Sequence, residues 1–75
     1  MPVHNVMSRN GHDQFAFDKS DKMSVAEAEK RFNELVGTKK FMAIEPGKNG
    51  EPGRLLKAFD PDVEETLFQP SLQGG

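Results

Sequence analysis

A single helical hydrophobic stripe is the feature that most constrains the fold of this chain. Five apolar residues follow the i, i+3, i+4 spacing that puts them on one helix face: Val25, Ala28, Phe32, Leu35 and Val36. Ser24 and Glu27 have the spacing of a capping box, and Gly37 fits the position after the last helical turn. We therefore predict one amphipathic helix over about residues 24–36, which must bury its stripe against another element.

The segment before the helix contains a hairpin signal. Asn10-Gly11 is a favoured pair for a two-residue turn, since both turn positions need a positive φ. A turn centred there predicts a first strand from Val3 to Ser8. It pairs Val6 with Phe15 and His4 with Phe17, so that Val6, Phe15 and Phe17 share one side.

A second hairpin signal, Asn49-Gly50, follows the helix. A turn there pairs Ala43 with Leu56 and places three apolar residues on the opposite side of the sheet. These three residues are Met42, Ile44 and Leu55. Either they form an apolar patch on an open sheet face, where a partner binds, or they complete the core and their strand neighbours face outward.

Together these segments predict a fold class. Apolar segments at 40–45 and 54–59 and a short one at 66–69 have strand character, and Pro70 ends the last of them. We expect a small two-layer α+β domain over residues 1–70, in ββαββ order, with one helix packed on a four-stranded mixed sheet. We expect residues 71–75 to form a flexible tail.

Size and composition limit the function classes. A chain of 75 residues buries only about 60% of its unfolded surface, and the absence of Cys excludes disulfides and Cys-rich zinc sites. A net charge of −2 is not typical of nucleic-acid binding. No apolar run approaches the ~20 residues of a membrane span, and the amino terminus lacks a secretory pattern. We expect a cytoplasmic binding or carrier protein that is not an enzyme and has no nucleic-acid or membrane partner.

The final residues form a motif of defined spacing. An acidic residue, Glu65, precedes a short apolar strand that runs into Phe68-Gln69-Pro70. Leu72 follows, and after one spacer residue the sequence closes with Gly74-Gly75. Two glycines lack a Cβ and adopt backbone angles closed to other residues, so they can enter a narrow channel.

This segment resembles the carboxyl end of the molybdopterin synthase small subunit and related ubiquitin-like sulfur carriers of the β-grasp fold. The resemblance implies that a partner activating enzyme uses ATP to adenylate the Gly75 carboxylate, which is then thiocarboxylated or conjugated. Gly74 and Gly75 would form the activation site, and Leu72, Pro70 and Phe68 would contact the partner. The chain itself would bind no cofactor. The acceptor would be a sulfur-accepting synthase subunit or target-protein lysines, and the residues leave this choice open.

A non-enzymatic interaction or assembly module, binding through its open sheet face, is the alternative function. His4 and His12 fall on opposite faces of the predicted hairpin, so we predict no metal site from them. The acidic residues near the last strand lack the spacing of an EF-hand loop: Asp60, Asp62, Glu64 and Glu65. We interpret them as a solvated turn. Alternatively, these carboxylates attract a basic docking surface of a partner toward the tail.

Overall fold

The computed structural model describes residues 1–8 and 11–71. The elements within these ranges are β1 (Val3–Ser8), β2 (Gly11–Ala16), α1 (Lys22–Asn33), a π-helical turn (Glu34–Thr38), β3 (Phe41–Glu45), β4 (Arg54–Leu56) and β5 (Glu65–Pro70). One α-helix lies on a five-stranded sheet, so the predicted α+β class is confirmed.

The sheet is open and mixed, with the strand order β2-β1-β5-β3-β4. β1 and β5 run parallel, whereas the other neighbouring strands are antiparallel. The prediction of four strands is wrong. The segment Glu65–Pro70 is a full six-residue strand, and it takes the central position, where it pairs with both β1 and β3.

The first hairpin forms over the predicted strand, but in a different register. His4 lies opposite Phe15, and Val6 lies opposite Asp13. Asn10 of the predicted turn lies outside the described residues, whereas Gly11, with a φ of 134°, is the first residue of β2. Each residue of β1 meets a partner two positions away from the predicted one. Because side chains alternate with period two, this shift leaves every side chain on its predicted face.

The second hairpin confirms its predicted register. Asn49 and Gly50 have φ angles of 54° and 83°, and the Glu51 N–H donates to the Lys48 carbonyl at 3.0 Å. Ala43 lies opposite Leu56, as predicted. The predicted strand over 54–59 is too long, because β4 ends at Leu56 and the chain turns so that Phe59 packs against the core.

The helix begins and ends differently from its prediction. Asp21, not Ser24, is the N-cap: its Oδ1 accepts from the Met23 N–H at 3.0 Å. The Ser24 Oγ instead accepts from the Asp18 N–H at 3.1 Å, which ties the helix to the preceding turn. Gly37 does not end the helix, because it lies inside the π-helical turn. The left-handed residue that follows is Lys40, with a φ of 61°.

The core lies between α1 and the inner face of the sheet. Its buried apolar cluster consists of Phe32, Ala43, Leu56, Val63 and Phe68. The two phenylalanine rings meet edge to face, with centroids 5.5 Å apart. The helical stripe predicted from the sequence is therefore the stripe that the helix buries, with Leu35 and Val36 half-buried at its carboxyl end.

A histidine lies among these aromatic rings. His4 is only 3% exposed, and its ring centroid lies 5.1 Å from that of Phe68 and 5.3 Å from that of Phe17. Its Nδ1 has no hydrogen-bond partner among the described residues. Burial, and in smaller part the positive charge of Arg31, lowers the pKa of His4 from 6.5 to about 4. His4 is therefore neutral in the folded protein near pH 7.

The pKa of His4 predicts a loss of stability in acid. Because the unfolded chain takes up a proton on His4 below pH 6.5 and the folded protein does not, the free energy of unfolding falls as the pH drops from about 6.5 to about 4. His4→Phe removes this term. We expect the stability of the variant, relative to the original chain, to rise by about 3 kcal/mol between pH 7.5 and pH 4. Urea unfolding across this range measures it, and parallel pH profiles for the two proteins would contradict it.

Candidate functional site

The strand that carries the carboxyl-terminal motif is held at the centre of the sheet. Thr66 and Phe68 point into the core, and Phe68 is 0% exposed. The prediction that Phe68 contacts a partner is therefore wrong, because its ring is enclosed by the core. Its aromatic side chain anchors the strand that precedes the tail.

The chain leaves the sheet beside the end of the helical region. Pro70 is exposed and lies opposite Phe41, the first residue of β3. The Ser71 N–H donates to the Lys40 carbonyl at 3.2 Å. The predicted partner residue Leu72 and the predicted activation site, Gly74 and Gly75, lie outside the described residues.

The open face of the sheet carries the predicted apolar residues. Ile44 lies directly opposite Leu55 on one side and Leu67 on the other, and Met42 lies on the same face. Leu55 is 56% exposed. Their strand neighbours Ala43 and Leu56 are buried in the core, so the interpretation in which those neighbours face outward is wrong. We call Met42, Ile44, Leu55 and Leu67 the apolar patch.

Leu67 was not among the residues predicted to contact a partner. The signal that could have found it is the alternation within β5, in which Glu65, Leu67 and Gln69 must share a face if Thr66 and Phe68 are buried. With Leu67 included, the patch extends to the central strand that leads into the tail.

A polar network occupies the other half of the open face. The buried Asn5 donates from Nδ2 to Glu65 Oε2 at 2.9 Å and accepts at Oδ1 from Gln14 Nε2 at 2.9 Å. The Nε2 of His12 lies 3.2 Å from the same Oδ1. Since Asn5 is the direct neighbour of Leu67, the apolar patch borders the polar network along β5.

Charge is distributed unevenly along the strands. Asp60, Asp62 and Glu64 lie in the segment that leads into β5, and Glu65 begins this strand, whereas the tail leaves at its other end. Five residue steps separate Glu65 from Pro70, or about 17 Å. The acidic residues are therefore remote from the point where the tail leaves, which argues against the interpretation that they steer a partner toward it.

The described residues contain no cluster that could hold a metal ion. No group of three or more His, Asp or Glu side chains comes together within residues 1–8 and 11–71. His4 lies in the core, whereas His12 lies on the open face, as the hairpin pattern predicted. A cavity of about 160 Å³ between the hairpin and the helix is smaller than sites that hold drug-sized ligands, and its lining alternates in charge: Val6, Asp13, Arg31, Glu34, Leu35 and Lys39.

The described helices lack the length and the apolar character that are needed to cross a bilayer.

Comparisons with known proteins give no match for this chain. No protein-family model matches it, and neither the curated proteins nor the solved structures contain a significant match. The function must therefore be argued from the fold, the tail motif and the two surfaces described above.

Proposed function

We propose that this chain is a small ubiquitin-like or sulfur-carrier protein of the β-grasp type, whose Gly75 carboxylate is the reactive group. The observation that carries the proposal is the position of β5. This strand forms the first part of the carboxyl-terminal motif and lies at the centre of the sheet. The element order of hairpin, helix and further strands, with β1 and β5 adjacent and parallel, supports the β-grasp assignment.

The proposed chemistry places the catalytic groups on a partner. The Gly75 carboxylate attacks the α-phosphate of ATP in the activating enzyme, which forms an acyl-adenylate and releases pyrophosphate. A sulfur donor or a nucleophile on the path to a lysine amide then displaces AMP. In this reaction the chain is a substrate, and it has to present a narrow tail in a fixed direction.

The structure of the strand before the tail suits this task. Phe68 is enclosed in the core and β5 has hydrogen-bonded neighbours on both sides, so the origin of the tail is fixed relative to the domain. Fixing the origin lowers the ordering entropy that a partner must overcome to bind the tail. Pro70, whose φ is restricted by its ring, adds stiffness at the point of departure.

Deletion of Gly75 tests the proposal. We expect the original chain, incubated with ATP in a lysate of its native host, to gain the mass of a thiocarboxylate or to form larger conjugates, as measured by intact-mass spectrometry. Without Gly75 these products should vanish, because the remaining tail is too short to reach the nucleotide. Gln73→Ala, which keeps the length and both glycines, is the matched control.

Two results would contradict the carrier proposal. One is equal product formation with and without Gly75. The other is an intact mass showing that the mature chain continues past Gly75, because the reactive carboxylate would then not exist at this position. Unchanged circular dichroism of the deletion variant excludes unfolding as the cause of a lost product.

The apolar patch supports a second candidate function, binding of a protein partner through the open sheet face. Its four side chains lie next to one another on three neighbouring strands, and none of them belongs to the core cluster. Leu55 is the most exposed of the four. Contiguous exposed apolar residues often mark interaction sites. This function is compatible with the first, because a carrier also docks on its enzymes.

Leu55→Asp tests the patch. We expect the introduced charge to abolish co-purification of a partner that binds the original chain. Burial of a leucine side chain contributes about 1.5–3 kcal/mol, so the loss of this contact should weaken binding by tenfold or more. Met23→Asp is the matched control, since Met23 is 82% exposed on the helix and lies away from the sheet. Equal loss of the partner in both variants, or none in either, would contradict a role for the patch. The melting temperatures report whether the fold is kept.

A further inference from the structure

Two consecutive lysines lie at the point where the tail leaves the domain. Lys39 follows the π-helical turn and donates its N–H to the Glu34 carbonyl at 3.0 Å. Lys40 accepts the Ser71 N–H at its carbonyl, so the residue before Leu72 is hydrogen-bonded to this pair. Both lysines are exposed, and neither ammonium forms an ion pair with a carboxylate of the described residues. By contrast, Arg54 pairs with Glu45 at 2.8 Å.

The backbone at Lys40 is strained. Its φ of 61° lies in the left-handed region, which residues other than Gly, Asn and Asp rarely adopt. Within the described ranges, the other residues with such an angle are Asn49 and two glycines. A glycine would fit position 40 with less strain. A lysine in a strained conformation is a reason to seek a function for its side chain.

The remaining charges make this end of the domain distinctive. The acidic residues from Asp60 to Glu65 lie at the opposite end of β5, and the whole chain carries a net charge of −2. The two lysines therefore lie away from the acidic turn, although Lys39 shares the lining of the small cavity with Asp13 and Glu34. The proposed carrier function requires a protein partner at this end of the domain, so we take an acidic protein segment and not nucleic acid as the occupant.

We propose that Lys39 and Lys40 form a docking site for an acidic segment of the protein that receives the tail. This inference rests on the proposed carrier function for the identity of its partner. The lysines would hold a Glu- or Asp-rich segment beside the start of the tail, and the π-helical turn and the Ser71 hydrogen bond would fix their position. π-helical turns occur frequently at functional sites.

Binding of a synthetic acidic peptide tests the site directly. The probe is a ten-residue peptide rich in Glu and Asp, titrated into the isotopically labelled full-length chain and followed by NMR. We expect the largest shifts at the amides of Lys39, Lys40 and Ser71, and weaker binding as NaCl rises from about 50 to about 300 mM. The double variant Lys39→Gln, Lys40→Gln should bind about fivefold more weakly, the size expected for two exposed charge pairs.

Lys48→Gln together with Lys57→Gln is the matched control, because it removes the same charge from exposed lysines elsewhere on the domain. Equal weakening in the two double variants would overturn the proposal and leave only general charge attraction. A ten-residue oligothymidine that binds more tightly than the acidic peptide would also overturn it, in favour of nucleic acid.

Lys40→Gly separates the role of the side chain from folding. Removing strain at a positive φ should raise the melting temperature by a few degrees while it weakens binding of the acidic peptide. A variant that is more stable and yet binds less cannot have lost binding through unfolding. Unchanged peptide binding in Lys40→Gly and in the double glutamine variant would overturn the proposal.

Two further comparisons separate this inference from the carrier function. Deletion of Gly75 should leave binding of the acidic peptide unchanged, because the lysines lie on the folded domain. If the original chain forms no product in the lysate but binds the peptide through the lysines, the carrier function fails and the docking site stands. If product forms normally in the double glutamine variant and the peptide does not bind, the docking site fails and the carrier function stands.

Discussion

The pairing of β5 with both β1 and β3 is the interaction on which the rest of the structure depends. It places the first and the last strand of the described chain side by side, since β1 begins at Val3 and pairs in parallel with β5, which ends at Pro70. The same pairing places Phe68 against Phe32 of the helix. Without it, the amino-terminal hairpin and the β3–β4 hairpin would form two separate pairs of strands with no common core.

This central strand also determines the layout of the surfaces. Its inner residues enter the core, its outer residue Leu67 joins the apolar patch, and its last residue Pro70 begins the departure of the chain. The acidic turn lies before its start, and Lys39 and Lys40 lie beside its end. The end of β5, the apolar patch and the two lysines are thus fixed relative to one another on one domain. The proposed carrier function would require such a fixed arrangement.

Much of the fold follows from local sequence signals, and its differences have physical causes. The helical stripe and the Asn49-Gly50 turn are local patterns, and the structure confirms both. The position of β5 is a non-local property, since no residue of that segment indicates that its neighbours will be β1 and β3. The capping-box spacing of Ser24 and Glu27 favours Ser24 as the N-cap. Asp21 offers an equivalent acceptor three residues earlier, and the Ser24 Oγ instead accepts from the Asp18 N–H.

The candidate site was predictable to a smaller extent. The turn register and the alternation of side chains group the apolar residues of β3 and β4 on one face, but the sequence leaves open whether that face is the open one. The sequence can predict that a lysine such as Lys40 is exposed. Its left-handed conformation and its hydrogen bond to Ser71, however, arise from tertiary structure. The burial of Phe68 illustrates the same limit. The sequence shows an aromatic residue near the end of the chain, which is compatible with a partner contact, but it does not show that the strand carrying this residue is central in the sheet.

Hydrogen exchange of the backbone amides is the most direct test of this account. If β5 is the central strand, the amides of Thr66, Leu67 and Phe68 should be among the slowest to exchange, and their opening energy should approach that of global unfolding. The amides of the edge strand β4 should exchange earlier. Exchange of β5 at the rate of β4, or loss of β5 protection while β1 and β3 remain protected, would contradict the claim that this strand holds the domain together.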